Sequence, residues 1–294
     1  MAATSVRRVC NVGATLGEGP IWVGREQALW FVDIKQKRLH RFDPATSALT
    51  SWDAPSQIGW VLPAAGGGFV VGMQRGIERF NAETGTFTSV VQPEPHLPGN
   101  RLNDATTDSR GCIWFGSMDD AESGVTGHLY ALDAGGVRHA GLDPVSITNG
   151  PSFSPDGRTL YHTDTLGKVI HAVTVNDDGT LGAARPFVTI EDGAGWPDGS
   201  VVDIEGCVWT GLYGGWGVRR YAPDGTLLET VELPTANITK LAFGGPDLKT
   251  AYVTSARKGL DEAALLAQPE AGNLFAFEVD VPGLPVTEVG NLGS

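Results

Sequence analysis

Three observations predict an all-β fold whose sheets repeat six times and close into a ring. The 294-residue chain spreads 40 glycines and 18 prolines along its whole length, the supply that many short strands and tight turns require. A unit of turn, aromatic-bearing strand, polar spacer and second strand recurs six times. One polar position returns at a fixed distance ahead of that strand in four of the six units. Repeats of roughly 40 to 50 residues, each with about four short strands, are the signature of a β-propeller. A single six-bladed domain over residues 1–294, with those polar positions lining a central channel, is therefore expected.

The units follow in order. The first reads REQALWFVDIKQKRLHRFDPATSALTSW and the second GGGFVVGMQRGIERFNAETGTFTSV. The third is DSRGCIWFGSMDDAESGVTGHLYALDAGG, the fourth SPDGRTLYHTDTLGKVIHAVTVNDDGTL and the fifth DIEGCVWTGLYGGWGVRRYAPDGTLLETV. The sixth, GPDLKTAYVTSARKGL, reaches NLFAFEVD only after an insertion, in which LDEAALLAQ is the one helix-like stretch. The equivalent strand positions are Trp30, Val70, Trp114, Tyr161, Trp209 and Tyr252, spaced 40 to 48 residues apart. A two-sheet sandwich would also explain the frequent turns, but not a phase shared by six units. Closure requires the N-terminal segment SVRRVCNV to complete the last blade beside the C-terminal strands, because a ring must hide its sheet edges. A propeller closed on itself predicts a monomer.

Charge and cysteines narrow the class. With 21 Lys and Arg against 34 Asp and Glu, the net charge of -13 excludes nucleic acid and anionic membrane surfaces as partners, since both recruit basic clusters. MAATSVRRVCNVG has no apolar stretch behind its arginines, and no apolar run is long enough to span a bilayer, so a cytoplasmic protein is expected. Cys10, Cys112 and Cys207 are odd in number and too few for a disulfide framework. Cys112 in GCIW and Cys207 in GCVW are equivalent positions of two units, read as small buried hydrophobes.

In a propeller the innermost strand of each blade lines the channel. Counting back 11 or 12 residues from the equivalent positions gives Glu18, a stretch near Ile58 to Trp60, Asn103, Asn149, Asp198 and a stretch near Thr239. Four of these positions carry side-chain oxygens. Carboxylates crowded on an axis repel one another unless a cation sits between them. Such hard oxygen donors suit Ca²⁺, Mg²⁺, Mn²⁺ or Fe²⁺, and so few of them leave coordination positions open for water and substrate. PDG occurs at residues 155–157, 197–199 and 223–225; Asp156 and Asp224 fall in hairpin loops, whereas Asp198 precedes SVVDIEG in the axial phase. The glycines flanking Glu18 are expected to keep Cβ atoms away from the ion and substrate.

Other chemistry is missing from the sequence. There is no G-x-S-x-G, H-E-x-x-H, C-x-x-C or phosphate-cradling glycine loop. VNDDGTL glances at a calcium loop, but Arg185 stands where that loop needs a bidentate Glu. The six histidines share no phase with the axial positions and are read as surface or strand residues.

LGEGPIW, RLNDATTDSRGCIWFGSM, TNGPSFSPDGRTLYHTDT and WPDGSVVDIEGCVWTGLYGG resemble, in the right order and over nearly the whole chain, the motifs of the SMP-30/regucalcin/gluconolactonase family. Within the family the resemblance is greatest to bacterial sugar lactonases of the xylonolactonase type. It implies one divalent metal in the channel and hydrolysis of a sugar lactone to the aldonic acid, with D-xylonolactone or a related pentono- or hexonolactone as substrate. It assigns Glu18, Asn149 and Asp198 as metal ligands, and Arg101 and Asn103 as substrate contacts. Fe²⁺ is the metal favoured by likeness to bacterial pentonolactonases, while Ca²⁺, Zn²⁺ or Mn²⁺ serve the wider family. Asp198, beside the attacking water, is assigned as general base, and Tyr213, in GLYGG on the same blade, as a wall of the substrate pocket. One departure stands out. Where regucalcin-type members carry a Glu, GSMDDAESG places Ala121, with Asp119, Asp120 and Glu122 around it. The rival readings are a calcium-dependent organophosphate or aryl-ester hydrolase and a non-catalytic calcium-binding propeller.

Overall fold

Short runs of β-branched and aromatic residues, punctuated by Gly-, Asp- and Asn-rich turns, fold each unit into a four-stranded antiparallel meander. The computed structural model describes residues 5–293 and holds six such sheets, making a six-bladed β-propeller. The innermost strands, blade by blade, are Gly17–Val23, Ile58–Pro63, Asn100–Thr107, Thr148–Phe153, Trp196–Val202 and Ile238–Gly244. Blade six is closed by the N-terminal strand Arg7–Cys10, which pairs antiparallel with Leu274–Glu278, as the closure argument requires. The insertion forms the short helix Glu262–Ala267, N-capped by Asp261, whose carboxylate accepts from the Ala264 N–H at 2.8 Å. No described helix is long and apolar enough to cross a membrane.

All six equivalent positions lie on the second strand of their blades and are buried. Aromatic pairs join neighbouring blades there. Trp30 packs on Phe69 with ring centroids 4.1 Å apart, Trp114 on Phe153 at 5.7 Å and Trp209 on Phe243 at 5.9 Å. Trp22 stacks on Tyr252 at 5.8 Å across the seam between blades one and six. In blades three and five an aspartate anchors the turn before this strand. Asp108 accepts from the Cys112 N–H and the Trp114 indole, and Asp203 accepts from the Cys207 N–H and the Trp209 indole. Cys112 and Cys207 are buried and unpaired, as small hydrophobes in equivalent places.

The inner strands share a feature that periodicity alone does not reveal. Each breaks register with its neighbour at the same height, between Glu18 and Ile21, Ile58 and Trp60, Leu102 and Ala105, Asn149 and Ser152, Pro197 and Ser200, and Ile238 and Leu241. Such a bulge re-aims side chains. The bulges also correct the reading of the glycines beside Glu18. A Cβ on Gly17 would stand 2.7 Å from the Ser255 carbonyl oxygen, and one on Gly19, whose φ is +53°, 3.1 Å from that of Gly59. Gly150 and Gly199 likewise abut Ser200 and Lys240 on the next blade. These glycines let adjacent blades close on one another around the axis; they do not clear room for a ligand.

Candidate functional site

The six residues singled out in the sequence line one cavity of about 230 Å³ at the end of the channel where the inner strands begin. Glu18, Asn103, Asn149 and Asp198 come from the bulge level of blades one, three, four and five, and Arg101 from just ahead of the bulge in blade three. Tyr213 ends the second strand of blade five. Glu18, Arg101, Asn103, Asn149 and Asp198 are each no more than 6% exposed. A recess of about 420 Å³ at the other end of the channel contains none of the six and is roofed by residues 284–287 of the C-terminal segment. The two axial stretches without a side-chain oxygen in the cavity are also explained. Gly59 lies against the backbone of Leu102 and Asn103, and Thr239 donates its hydroxyl to the Gly17 carbonyl at 2.6 Å.

Two carboxyl groups share this small space. Burial, and after it the Asp104 carboxylate, pushes Glu18 up to about 7. Burial, then Glu18 and Asp104, pushes Asp198 well above the usual carboxylate range. Glu18 and Asp198 line the same cavity, yet Asp198 Oδ1 is buried with no hydrogen-bond partner among the described residues. An orphaned carboxylate oxygen beside a second carboxyl is the electrostatic signature of a cation site. The neighbouring amide is oriented for the same purpose. Asn149 donates from Nδ2 to Thr165 Oγ1 at 3.0 Å and accepts at Oδ1 from Asn103 Nδ2 at 2.8 Å, which leaves a second lone pair of that oxygen without a protein partner. No three His, Cys, Asp or Glu side chains among the described residues converge as a metal cluster, so the third oxygen of any set here is this amide. Two carboxylates and an amide oxygen fit a hard divalent ion.

The rest of the cavity wall is equally tied down. Arg101 donates from Nε to Asp120 at 2.8 Å and from Nη1 to Asn103 Oδ1 at 2.6 Å. Asn103 spends its Nδ2 on the Thr148 carbonyl and Asn149 Oδ1, leaving a lone pair on its own Oδ1 as its remaining polar capacity. The Tyr213 hydroxyl donates to the Lys258 carbonyl oxygen, so its ring is what faces the cavity. Burial, followed by the charges of Asp198, Glu122 and Glu18, raises its phenol and keeps it protonated.

The acidic run around Ala121 divides into three roles. Asp119 caps its own loop, accepting from the backbone of Ser123 at 3.0 Å and Gly124 at 2.8 Å. Asp120 anchors Arg101 and also takes Lys35 at 2.7 Å and Gln57 at 2.9 Å. Burial alone would raise it, but those hydrogen bonds and the Arg101 and Lys35 charges hold it at about 2. Glu122, at a φ of +57°, lines the cavity and forms an ion pair with Lys258 of blade six. That pair spans the mouth from blade three to the blade opposite.

Sequence reasoning missed Asp104, Lys240, Thr165, Trp196 and Lys258. The first two directly follow axial positions, and reading one residue further at the same phase reveals them. Thr165 and Lys258 sit on loops whose lengths differ between blades, and Trp196, half-exposed at the cavity rim, opens its strand without an equivalent in the other units.

Comparison with known proteins places this geometry in context. The family model for the SMP-30/Gluconolactonase/LRE-like region matches residues 16–257. The chain is 34% identical over 280 residues to the 6-deoxy-6-sulfogluconolactonase of Pseudomonas putida, a match covering 95% of this chain and 96% of that one. It is 36% identical over 274 residues to the L-arabinolactonase of Azospirillum brasilense, covering 92% and 90%. Its fold superposes with a TM-score of 0.93 and 30% identity on the crystal structure of a calcium-binding protein, regucalcin, from Agrobacterium tumefaciens, covering 98% of this chain and 99% of that one.

Proposed function

The chain belongs to the SMP-30/gluconolactonase family of sugar lactone hydrolases, and from that premise we propose that it opens an aldonolactone at a divalent metal held by Glu18, Asn149 and Asp198. D-xylonolactone leads the candidate substrates, other pentono- and hexonolactones follow, and Fe²⁺ leads the candidate ions, ahead of Ca²⁺, Zn²⁺ and Mn²⁺. The observation that carries this reading is the buried, unpartnered Asp198 Oδ1 set beside Glu18 in a cavity that also holds Arg101 and Asn103.

When bound, the ion supplies Lewis-acid polarisation of the lactone carbonyl. The rest is work for the chain's own residues. Asp198 accepts a proton from the attacking water as the water oxygen bonds to the acyl carbon. The ring C–O bond then breaks, and that proton passes to the leaving ring oxygen, which becomes a hydroxyl of the aldonate. Arg101, fixed by Asp120, donates to the substrate, while Asn103 accepts from a sugar hydroxyl through its remaining lone pair. Tyr213 and Trp196 wall the cavity with their rings, Trp196 presenting an apolar face to the C–H side of a sugar. A ring closed by the Arg7–Cys10 strand supports a single propeller domain, read here as a cytoplasmic monomer.

Substrate profiling tests this reading. Opening of pentono- or hexonolactones well above the spontaneous rate, with no turnover of phosphotriesters or aryl esters, is the expected result. Preferential turnover of phosphotriesters or aryl esters would overturn it.

A further inference from the structure

Beneath the layer of Glu18, Asn103, Asn149 and Asp198 lies a second layer made by the residue that follows the axial position in five of the six blades. It consists of Gly19, Asp104, Gly150, Gly199 and Lys240. The Lys240 ammonium donates to Asp104 Oδ1 at 2.6 Å, joining blade six to blade three across the full width of the channel. Both side chains are almost wholly buried, at 6% and 2% exposure. Asp104 Oδ2 accepts from the Gly150 N–H at 2.8 Å, directly after Asn149 in the chain. The Lys240 stem lies where a Cβ on Gly199, directly after Asp198, would be 2.5 Å away. Lys240 and Asp104 line the recess at the far end of the channel and not the site cavity itself, so the pair lies between that recess and the layer of Glu18, Asn103, Asn149 and Asp198.

We propose that Asp104 and Lys240 are a positioning pair that forms the floor of the metal cavity, pinning the strands that carry Asn149 and Asp198 and balancing the charge beneath the ion. This rests on the metal-binding reading of the site. The two charges of the pair act with opposite sign on a cation held above them: the Asp104 carboxylate attracts it and the Lys240 ammonium repels it. Removing one partner therefore does more than loosen the fold. Without the Asp104 charge, an uncompensated ammonium sits under the cation; without Lys240, a third carboxylate does.

The test is a calorimetric titration of the metal-stripped full chain with Mn²⁺, run on the wild type, Asp104→Asn, Lys240→Met and the double variant, with thermal unfolding as the check on folding. Asp104→Asn is expected to weaken Mn²⁺ binding by about tenfold or more, Lys240→Met to tighten it by a similar factor, and the double variant to return to within about threefold of wild type. Lys240→Gln replaces Lys240→Met if the latter does not fold, and the contrast in sign is unchanged. Single variants that shift affinity in the same direction, or that stay folded and leave it unmoved, overturn the proposal alone. If wild type binds Mn²⁺ no better than Glu18→Ala, the metal reading fails and takes this proposal with it.

Discussion

Asn103 Nδ2 donates to Asn149 Oδ1 across 2.8 Å, so a residue read as a substrate contact and one read as a metal ligand form a single hydrogen-bonded unit. Partners that orient a ligand tune its affinity about as strongly as tenfold to a hundredfold. Asn103→Leu is accordingly expected to raise KM and also to weaken divalent-ion binding by about tenfold. A rise in KM with ion affinity unchanged would show the two functions to be separate.

Asp120 acts through Arg101. Its carboxylate fixes Nε at 2.8 Å and holds the 3%-exposed guanidinium in one pose. In Asp120→Asn the charge-assisted bond weakens while the metal ligands are untouched. KM should rise several-fold with kcat within about twofold of wild type, as steady-state kinetics on the preferred lactone will show.

The Glu122–Lys258 pair across the mouth is about one-third exposed on both sides, so it contributes little to stability. Both residues line the cavity proposed to take the lactone. Lys258→Met and Glu122→Gln should each change the ratio of kcat/KM between a pentonolactone and a hexonolactone by more than about threefold, with the melting temperature within about 2 °C of wild type. An unchanged ratio would remove this pair from substrate selection.

Two buried histidines set an acid limit on stability. Burial lowers both His40 and His162 to about 4, against about 6.5 in an unfolded chain. Between those values the unfolded chain binds protons that the folded chain does not. Stability is therefore complete above pH 6.5 and is lost as the pH falls towards 4, by about 3 kcal/mol per histidine at most. With divalent ion in excess, so that Glu18 and Asp198 stay ionised, chemical denaturation between pH 6.5 and 4.5 should give a shallower slope for His162→Leu than for wild type. Parallel slopes would count against this assignment.

Much of the fold was legible because a propeller repeats one solution six times. Trp30, Trp114 and Trp209 recur at the same place for the same reason: each fills the gap between its own blade and the next. The axial oxygens were legible through the same phase. The bulges were not, because the inner strands are buried on both faces and so carry no hydrophobic alternation for a shift in pairing to interrupt. That is why Asp104 and Lys240, the second residues of their bulges, escaped notice beside Asn103 and Thr239. The mouth was least legible of all. Glu122 meets Lys258 across 136 positions of chain through two loops of unequal length, and nothing local to either segment announces the other.

The central claim, that Glu18, Asn149 and Asp198 hold a divalent ion needed for lactone opening, is tested most directly by stripping the metal and restoring it. Anaerobic titration of the stripped protein with Fe²⁺, Ca²⁺, Zn²⁺ or Mn²⁺ in turn should return lactone opening at one equivalent of at least one ion. Asp198→Ala, folded and treated identically, should stay at the spontaneous rate. Stripped wild-type protein that opens the lactone at its full rate without any ion would contradict the account.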